Sequence, residues 1–278
     1  MSPYLIIEAG STKSDWALCV DGNCINSFKG LGINPSTLVD RKLTDQEAQL
    51  VNQASRIYYY GAGVKDDVAR EIIRQFLKIK NTQLCSVDND IVAVARSQFA
   101  NEDAIICILG TGSSSALWED KKLTGGTLSL GYILSDEGGG VDIGKRILKD
   151  YFYEKMPEAV AMAFQNFAPD LSTAHLMDTI YKGSSPAAYL ASFAFFLKDL
   201  KDHPWKTNLL KGAFQSFIEI RLMNFHGIHE KKLAFNGSIA YHYQDILKET
   251  LYDYQLGQNG IHICKSPLEG LICYHQSV

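Results

Sequence analysis

The sequence lacks a CxxC pair among its six cysteines, a long apolar run near its start, and an excess of charge of either sign. Cys19, Cys24, Cys85, Cys107, Cys264 and Cys273 are too scattered for a zinc cluster or a disulfide framework, and the pattern suits thiols kept reduced. Tyr4 to Ile7 is far too short for a secretion signal or a membrane span, so a cytoplasmic protein with no membrane partner is expected. With 27 basic against 31 acidic side chains the net charge is −4, which argues against nucleic acid as a partner. Glycine (22) and proline (7) are near ordinary usage, which excludes fibrous repeats and disorder. What is present is 278 residues, 46% of them hydrophobic, enough for one or two domains with a sizeable core.

Tyr4 to Ile7 and Asp15 to Val20 are short apolar runs flanking the small-residue turn Gly10-Ser11-Thr12-Lys13-Ser14. Asp21-Gly22-Asn23 marks a second turn and Cys24 to Phe28 a third strand, so the chain opens as a β-meander. About a hundred residues later the design recurs. Ala104 to Leu109 runs into Gly110-Thr111-Gly112-Ser113, Ser114 to Trp118 returns, and Lys122 to Gly125 begins a third strand. The recurrence points to an internal duplication.

After each meander strand and helix alternate. Arg56 to Tyr60 and Gln83 to Val87 read as strands, and Lys65 to Lys78 as a helix with Val68, Ile72, Ile73, Phe76 and Leu77 on one face. Ile91 to Phe99, Val141 to Phe152, much of 186–225 and Ser238 to Tyr252 read as helical, with strands at Leu233 to Phe235 and Ile261 to Cys264. Pro267 starts a terminal helix. The sum is an α/β chain of two related lobes, 1–103 and 104–278, with helices inserted in the second and the last helix free to pack back on the first.

Both hairpin tips carry chemistry-bearing residues. Glycine lets backbone N–H groups approach a phosphate, the hydroxyls of Ser11, Thr12, Thr111 and Ser113 can donate, and Lys13 adds charge. Facing each other across a cleft, such tips would grip a nucleoside triphosphate. Glu8, at the end of the preceding strand, could hold magnesium through water. An ordinary polar hairpin would look the same at either tip taken singly. Asn89-Asp90 sits at the carboxyl end of a strand; Asp90 could take a proton from a hydroxyl, and either residue could equally be a helix cap. Gly32-Ile33-Asn34-Pro35 reads as a plain turn, and Gly138-Gly139-Gly140 as a flexible lead into the Val141 helix, with Asp136 and Glu137 favoured by that helix N-terminus. Gly139-x4-Gly144-Lys145-Arg146 fails as a P-loop because Arg146 stands where a Ser or Thr would bind magnesium.

In order and spacing, several segments together resemble the BadF/BadG/BcrA/BcrD ATPase family, and within it the N-acetylglucosamine kinase-like branch. They are Ala9 to Trp16, Gly32 to Pro35, Tyr60 to Gly63, Asn89-Asp90, Leu109 to Ser113, Asp136 to Gly138, Asn236 to Ser238 and Ser266 to Gly270. The resemblance spans essentially the whole chain. It implies two ribonuclease H-like lobes of the actin-like ATPase type, with ATP and Mg2+ in a cleft between them. By the same resemblance Gly10, Ser11, Thr12 and Lys13, with Gly110, Thr111, Gly112 and Ser113, are phosphate loops, Gly237 and Ser238 lie near the adenosine, and Glu8 is the metal-side carboxylate. Asn34, Ser114, Gly131 and Asp136 match sugar-holding positions, and Asp90 matches the base.

The implied activity is an ATP-dependent kinase of an N-acetylated amino sugar, N-acetylglucosamine at its 6-hydroxyl, with a homodimer left open. Departures from the family pattern are Glu8 for aspartate, Ser114 for asparagine, Leu130 for tryptophan and Ser135 for glycine. Two other outputs fit the fold: an ATPase activator of a reductase, and a sugar-binding sensor without transfer.

Overall fold

The computed structural model describes residues 2–38 and 41–276. The chain divides into two compact units, Met1–Glu102 with Ser266–Val278, and Asp103–Lys265.

In the first unit the central strand is the apolar one, because a strand covered on both faces must carry hydrophobic side chains throughout. This is β1 (Tyr4–Ala9), in which Leu5, Ile6, Ile7 and Ala9 are fully buried. β2 (Lys13–Val20) and β3 (Asn23–Leu31) complete an antiparallel meander on one side, and β4 (Arg56–Gly61) and β5 (Leu84–Asn89) add parallel strands on the other. The parallel register sets Glu8 beside Tyr60, Ala9 beside Gly61, and Gly61 beside Asn89. The carboxyl ends of β1, β4 and β5 are thereby level.

The second unit repeats the plan with β6 (Ala104–Leu109) at its centre. β7 (Ser113–Glu119) and β8 (Lys122–Gly126) form the meander, and β9 (Lys232–Asn236) and β10 (Ile261–Cys264) the parallel pair. Two five-stranded sheets with one connectivity are the duplication that the paired meanders announce. The inserted helices bury Phe164, Phe193, Phe196, Phe214 and Phe217 in a single core with β6 and β9.

Local expectations are refined in four places. The helix Asp67–Leu77 buries Ala69, Ile73 and Leu77, spaced by four, while Val68 (69% exposed) and Ile72 lie on the outer side. Helices Glu158–Phe167 and Thr173–Lys182, unmarked by the sequence pattern, belong to the insertion. Gly138, Gly139 and Gly140 are buried and closely packed rather than a flexible lead: a Cβ on Gly139 would lie 2.6 Å from the Gly112 carbonyl carbon and oxygen. The group at the head of helix Gly140–Phe152 is Asp142, whose Oδ2 accepts the Gly138 N–H at 3.0 Å, while Asp136 and Glu137 are engaged elsewhere.

Candidate functional site

The tip of the first unit is a tight turn that starts at Gly10. Gly10 N–H closes the turn onto the Lys13 carbonyl at 2.9 Å, and Ser11, Thr12 and Lys13 are exposed. Among the described residues, no hydrogen bond uses the N–H groups of Ser11 and Thr12. Two loops back this tip. Ile33 N–H donates to the Gly10 carbonyl at 3.2 Å and Ala62 N–H to that of Ala9 at 2.9 Å. Gly32 is required here, since a Cβ on it would sit 2.4 Å from the Ser11 carbonyl.

Asn34, matched above to a sugar position, caps the 3-10 turn Pro35–Thr37 through the Ser36 N–H at 3.0 Å, and its Nδ2 donates to Ser11 Oγ at 3.3 Å. Arg41 donates to the Gly32 carbonyl and to Glu47 Oε1 (2.7 Å), and Glu47 closes a capping box with Thr44. This brace is missing from the sequence reading, although Thr44-x-x-Glu47 carried the signal.

Carboxylates gather at the ends of the same strands. Glu8 on β1 lies directly across from Asp15 on β2, a like-charge pair that costs stability unless something positive joins it. Burial, then Asp15, then Asp90 push the Glu8 carboxyl up to about 7, partly offset by Lys13. Asp90 opens the helix Asp90–Phe99, and burial pushes it up to about 6 against the pull of backbone N–H groups. Asn89 serves as the cap, its Oδ1 accepting the Ile91 N–H at 2.8 Å. Asp90 forms no ion pair among the described residues.

In the second unit the tip is built alike. Gly110 N–H donates to the Gly112 carbonyl at 3.0 Å, and the Thr111 and Gly112 N–H groups have no hydrogen bond among the described residues. Behind it, Gly140 N–H and Val141 N–H reach the Gly110 and Thr111 carbonyls at 2.8 and 2.9 Å. Asp136, at φ +70°, accepts the Ser113 N–H at 3.1 Å. Ser113 is therefore occupied through its backbone, and its hydroxyl is buried without a partner. Gly237, at φ +111°, leaves room that a Cβ would fill 2.3 Å from the Leu109 carbonyl oxygen and 3.0 Å from the Gly110 nitrogen, so Gly237 packs against the start of the second tip, and Ser238 follows it as the first residue of the helix Ser238–His242. Ser114 pairs with Ile108 in the β6–β7 ladder. Gly131 stands apart and exposed, with nothing within 4 Å of where its Cβ would be.

Among the described residues no group of three or more His, Cys, Asp or Glu side chains is placed to hold a metal ion. One carboxylate suffices for magnesium, which keeps most of its shell as water and phosphate oxygens. Glu8, crowded by Asp15 and Asp90, has the donor chemistry for that role. The glycine run around Gly144 is structural: a Cβ there would overlap the Leu190 carbonyl, Lys145 donates to the Tyr132 carbonyl (2.9 Å), and Arg146 pairs with Asp142.

Two sheets of one plan, each with a glycine tip after its central strand, define the two-lobed fold of actin-like ATPases and sugar kinases. A solved structure from Porphyromonas gingivalis, provisionally named an N-acetylglucosamine kinase, is 29% identical, with a TM-score of 0.86 over 99% of both chains. One from Chromobacterium violaceum, provisionally given the same name, is 18% identical with a TM-score of 0.71, again over 99% of both. A ROK hexokinase from Thermus thermophilus shares the fold at 13% identity and a TM-score of 0.51, over 98% of this chain and 96% of its own. No family model and no curated protein sequence matches the chain. Among the described residues no helix is long and apolar enough to cross a membrane.

Proposed function

We propose that this protein is an ATP-dependent sugar kinase that phosphorylates an N-acetylated amino sugar, N-acetylglucosamine at its 6-hydroxyl. The observation that carries the reading is Asp90: a carboxylate at the level carboxyl ends of β1, β4 and β5, relieved of capping by Asn89 and raised to about 6. A base of that strength is mostly ionised near neutral pH and still able to take a proton. The 29% identity to the Porphyromonas gingivalis protein along its whole length supports the choice of sugar class.

In this reading the acceptor oxygen bonds to the γ-phosphorus as the bond to the bridging oxygen of ADP breaks, and the hydroxyl proton passes to Asp90. The open N–H groups of Ser11, Thr12, Thr111 and Gly112 offer donors to phosphate oxygens, and Lys13 offers a charge. Glu8 would hold magnesium, which when bound neutralises charge on the phosphates. Asn34 and Asp136 each hold a tip in place with one side-chain atom.

The test is ADP release from ATP and Mg2+ over a panel of N-acetylglucosamine, N-acetylmuramic acid, N-acetylmannosamine, glucosamine and glucose. Release that depends on N-acetylglucosamine, with phosphate found on its 6-oxygen, is the expected result. Sugar binding without ADP would replace the kinase with a sensor.

A further inference from the structure

Cys19 is buried on β2, Cys24 is exposed on β3, and the two stand directly opposite each other in the antiparallel ladder. The hairpin that joins these strands turns through Asp21 and Gly22 alone. Opposed residues carry their side chains on the same face of the sheet. Their Cα atoms lie about 4.5 or 5.5 Å apart, according to whether the pair exchanges hydrogen bonds. A disulfide bridges Cα atoms roughly 4.4–6.8 Å apart, so either spacing admits one. The two thiols already interact: burial first, then Cys24, push the Cys19 thiol up to about 12.

The surroundings allow such a bond to close. β3 is an edge strand, so a solute reaches Cys24 from solvent. The Cys24 thiol donates a weak hydrogen bond to the Asn26 carbonyl at 3.4 Å, which is readily given up. The register shifts between Leu18 and Cys19, leaving Ile25 without a partner, so the ladder is already disrupted beside the pair. The other strand cysteines face no second thiol across their ladders. Cys85 is level with Ile57, Cys107 with Ser115 and Phe235, and Cys264 with Asn236.

We propose that Cys19 and Cys24 are a redox-modification site, a dithiol that closes reversibly to a cross-strand disulfide on meeting a small-molecule disulfide such as oxidised glutathione. The Cys24 thiolate attacks one sulfur of the oxidant, the oxidant's S–S bond breaks, and one thiolate leaves. Cys19, its proton passed to water, attacks the Cys24 sulfur of the mixed disulfide and releases the second thiolate. The protein thiols lose two electrons and two protons, and the oxidant becomes two thiols. Burial makes Cys19 the poorer nucleophile, which leaves it the second, intramolecular step. In a reducing compartment the pair stays open and closes as the glutathione pool is oxidised. The pair lies at the far end of the hairpin from the first tip, since Cys19 is level with Tyr4 and Asp15 with Glu8. It is therefore independent of the sugar-kinase reading.

The test exposes the full chain to oxidised glutathione, blocks the remaining thiols with N-ethylmaleimide, and maps tryptic peptides by mass. Both cysteines fall in the one peptide 14–29, which has no Lys or Arg before its last residue. The expected product is that peptide two hydrogens lighter and unblocked at both cysteines, returning to the doubly blocked form after dithiothreitol. In a fixed glutathione buffer the closed-to-open ratio should be about tenfold higher in the folded chain than in urea, because the ladder holds the thiols together. Cys24→Ser should abolish closure, and Cys19→Ser should leave Cys24 carrying one glutathione. A doubly blocked peptide after oxidation, a bond from Cys24 to Cys273 or to a second chain, or a ratio no higher than in urea would overturn the proposal. If Cys19→Ser does not fold, the unmodified chain and Cys24→Ser decide the matter.

Discussion

Asn89 takes the capping role at the helix that Asp90 begins. Its Oδ1 accepts the Ile91 N–H at 2.8 Å, and Asp90 Oδ1 shares that donor more loosely at 3.1 Å. The second Asp90 oxygen is left for other work. Replacing Asp90 by Asn preserves this geometry and removes the proposed base. Turnover in the sugar-dependent assay should fall roughly 10²- to 10⁴-fold, with nucleotide affinity nearly unchanged by titration. An undiminished rate would remove Asp90 from the mechanism.

The same carboxylates should shape stability without ligand. Glu8 and Asp90 have folded-state values near 7 and 6, above their ordinary 4.5 and 3.8. The folded state then binds protons more tightly, so their contribution is fully present at acid pH and lost as pH rises through those values. Glu8→Gln should be more stable than the unmodified chain at about pH 8, by on the order of 1–2 kcal/mol, and level with it near pH 4. Urea midpoints at the two pH values measure this. No difference at pH 8 would show that the Glu8–Asp15–Asp90 crowding carries no strain.

His275 titrates in the opposite sense. Stacked on Tyr58 at 3.6 Å and bonded to Tyr60 Oη at 2.7 Å, it lies near Arg96, which pairs with Asp88. Burial first, then Arg96, lower its pKa from 6.5 to about 4, while Asp88 opposes them. The unfolded chain therefore takes up the proton first, and stability is lost as pH falls from about 6.5 toward 4. His275→Phe keeps a ring against Tyr58 and should flatten that acid limb, at the cost of about 1 kcal/mol at pH 7 for the lost hydrogen bond. Melting temperatures from pH 4 to 7 test it, and an acid limb as steep as before would refute it.

Gly32→Ala places a methyl group 2.4 Å from the Ser11 carbonyl and 2.5 Å from the Thr12 nitrogen. One of the two backbones must move. The expected outcome is destabilisation by about 1–3 kcal/mol and weaker ATP binding, read by thermal melting and nucleotide titration. ATP affinity equal to that of the unmodified protein would show that the first tip does not depend on this contact.

Much of the fold was legible because apolar runs and small-residue turns report on local geometry. Tyr4 to Ile7 and Ala104 to Leu109 are apolar because both faces are covered, and small-residue turns follow each of them. The helix Asp67–Leu77 was legible as a helix but not in its facing, since Val68 and Ile73 are equally apolar and only the neighbours decide which is covered. Asn34 reads as a turn residue, and its bond to Ser11 joins positions 23 apart, which no local pattern reports.

Arg221 shows the other side of that division. Its place in the sequence, on the same helical face as Phe217, Ile218 and Leu222, hints at a buried charge. Its partners at Thr127, Leu128, Ser135 and Glu137 lie 84 to 94 residues away. The sequence by itself determined the strands, the duplicated plan and the residue types at each tip, because propensity, periodicity and turn chemistry act over a few neighbours. Tertiary structure decided which carboxylates crowd Glu8, that Asn89 and not Asp90 is the cap, and which groups the Arg221 guanidinium meets. Those outcomes depend on burial and on donors and acceptors brought together across long stretches of chain.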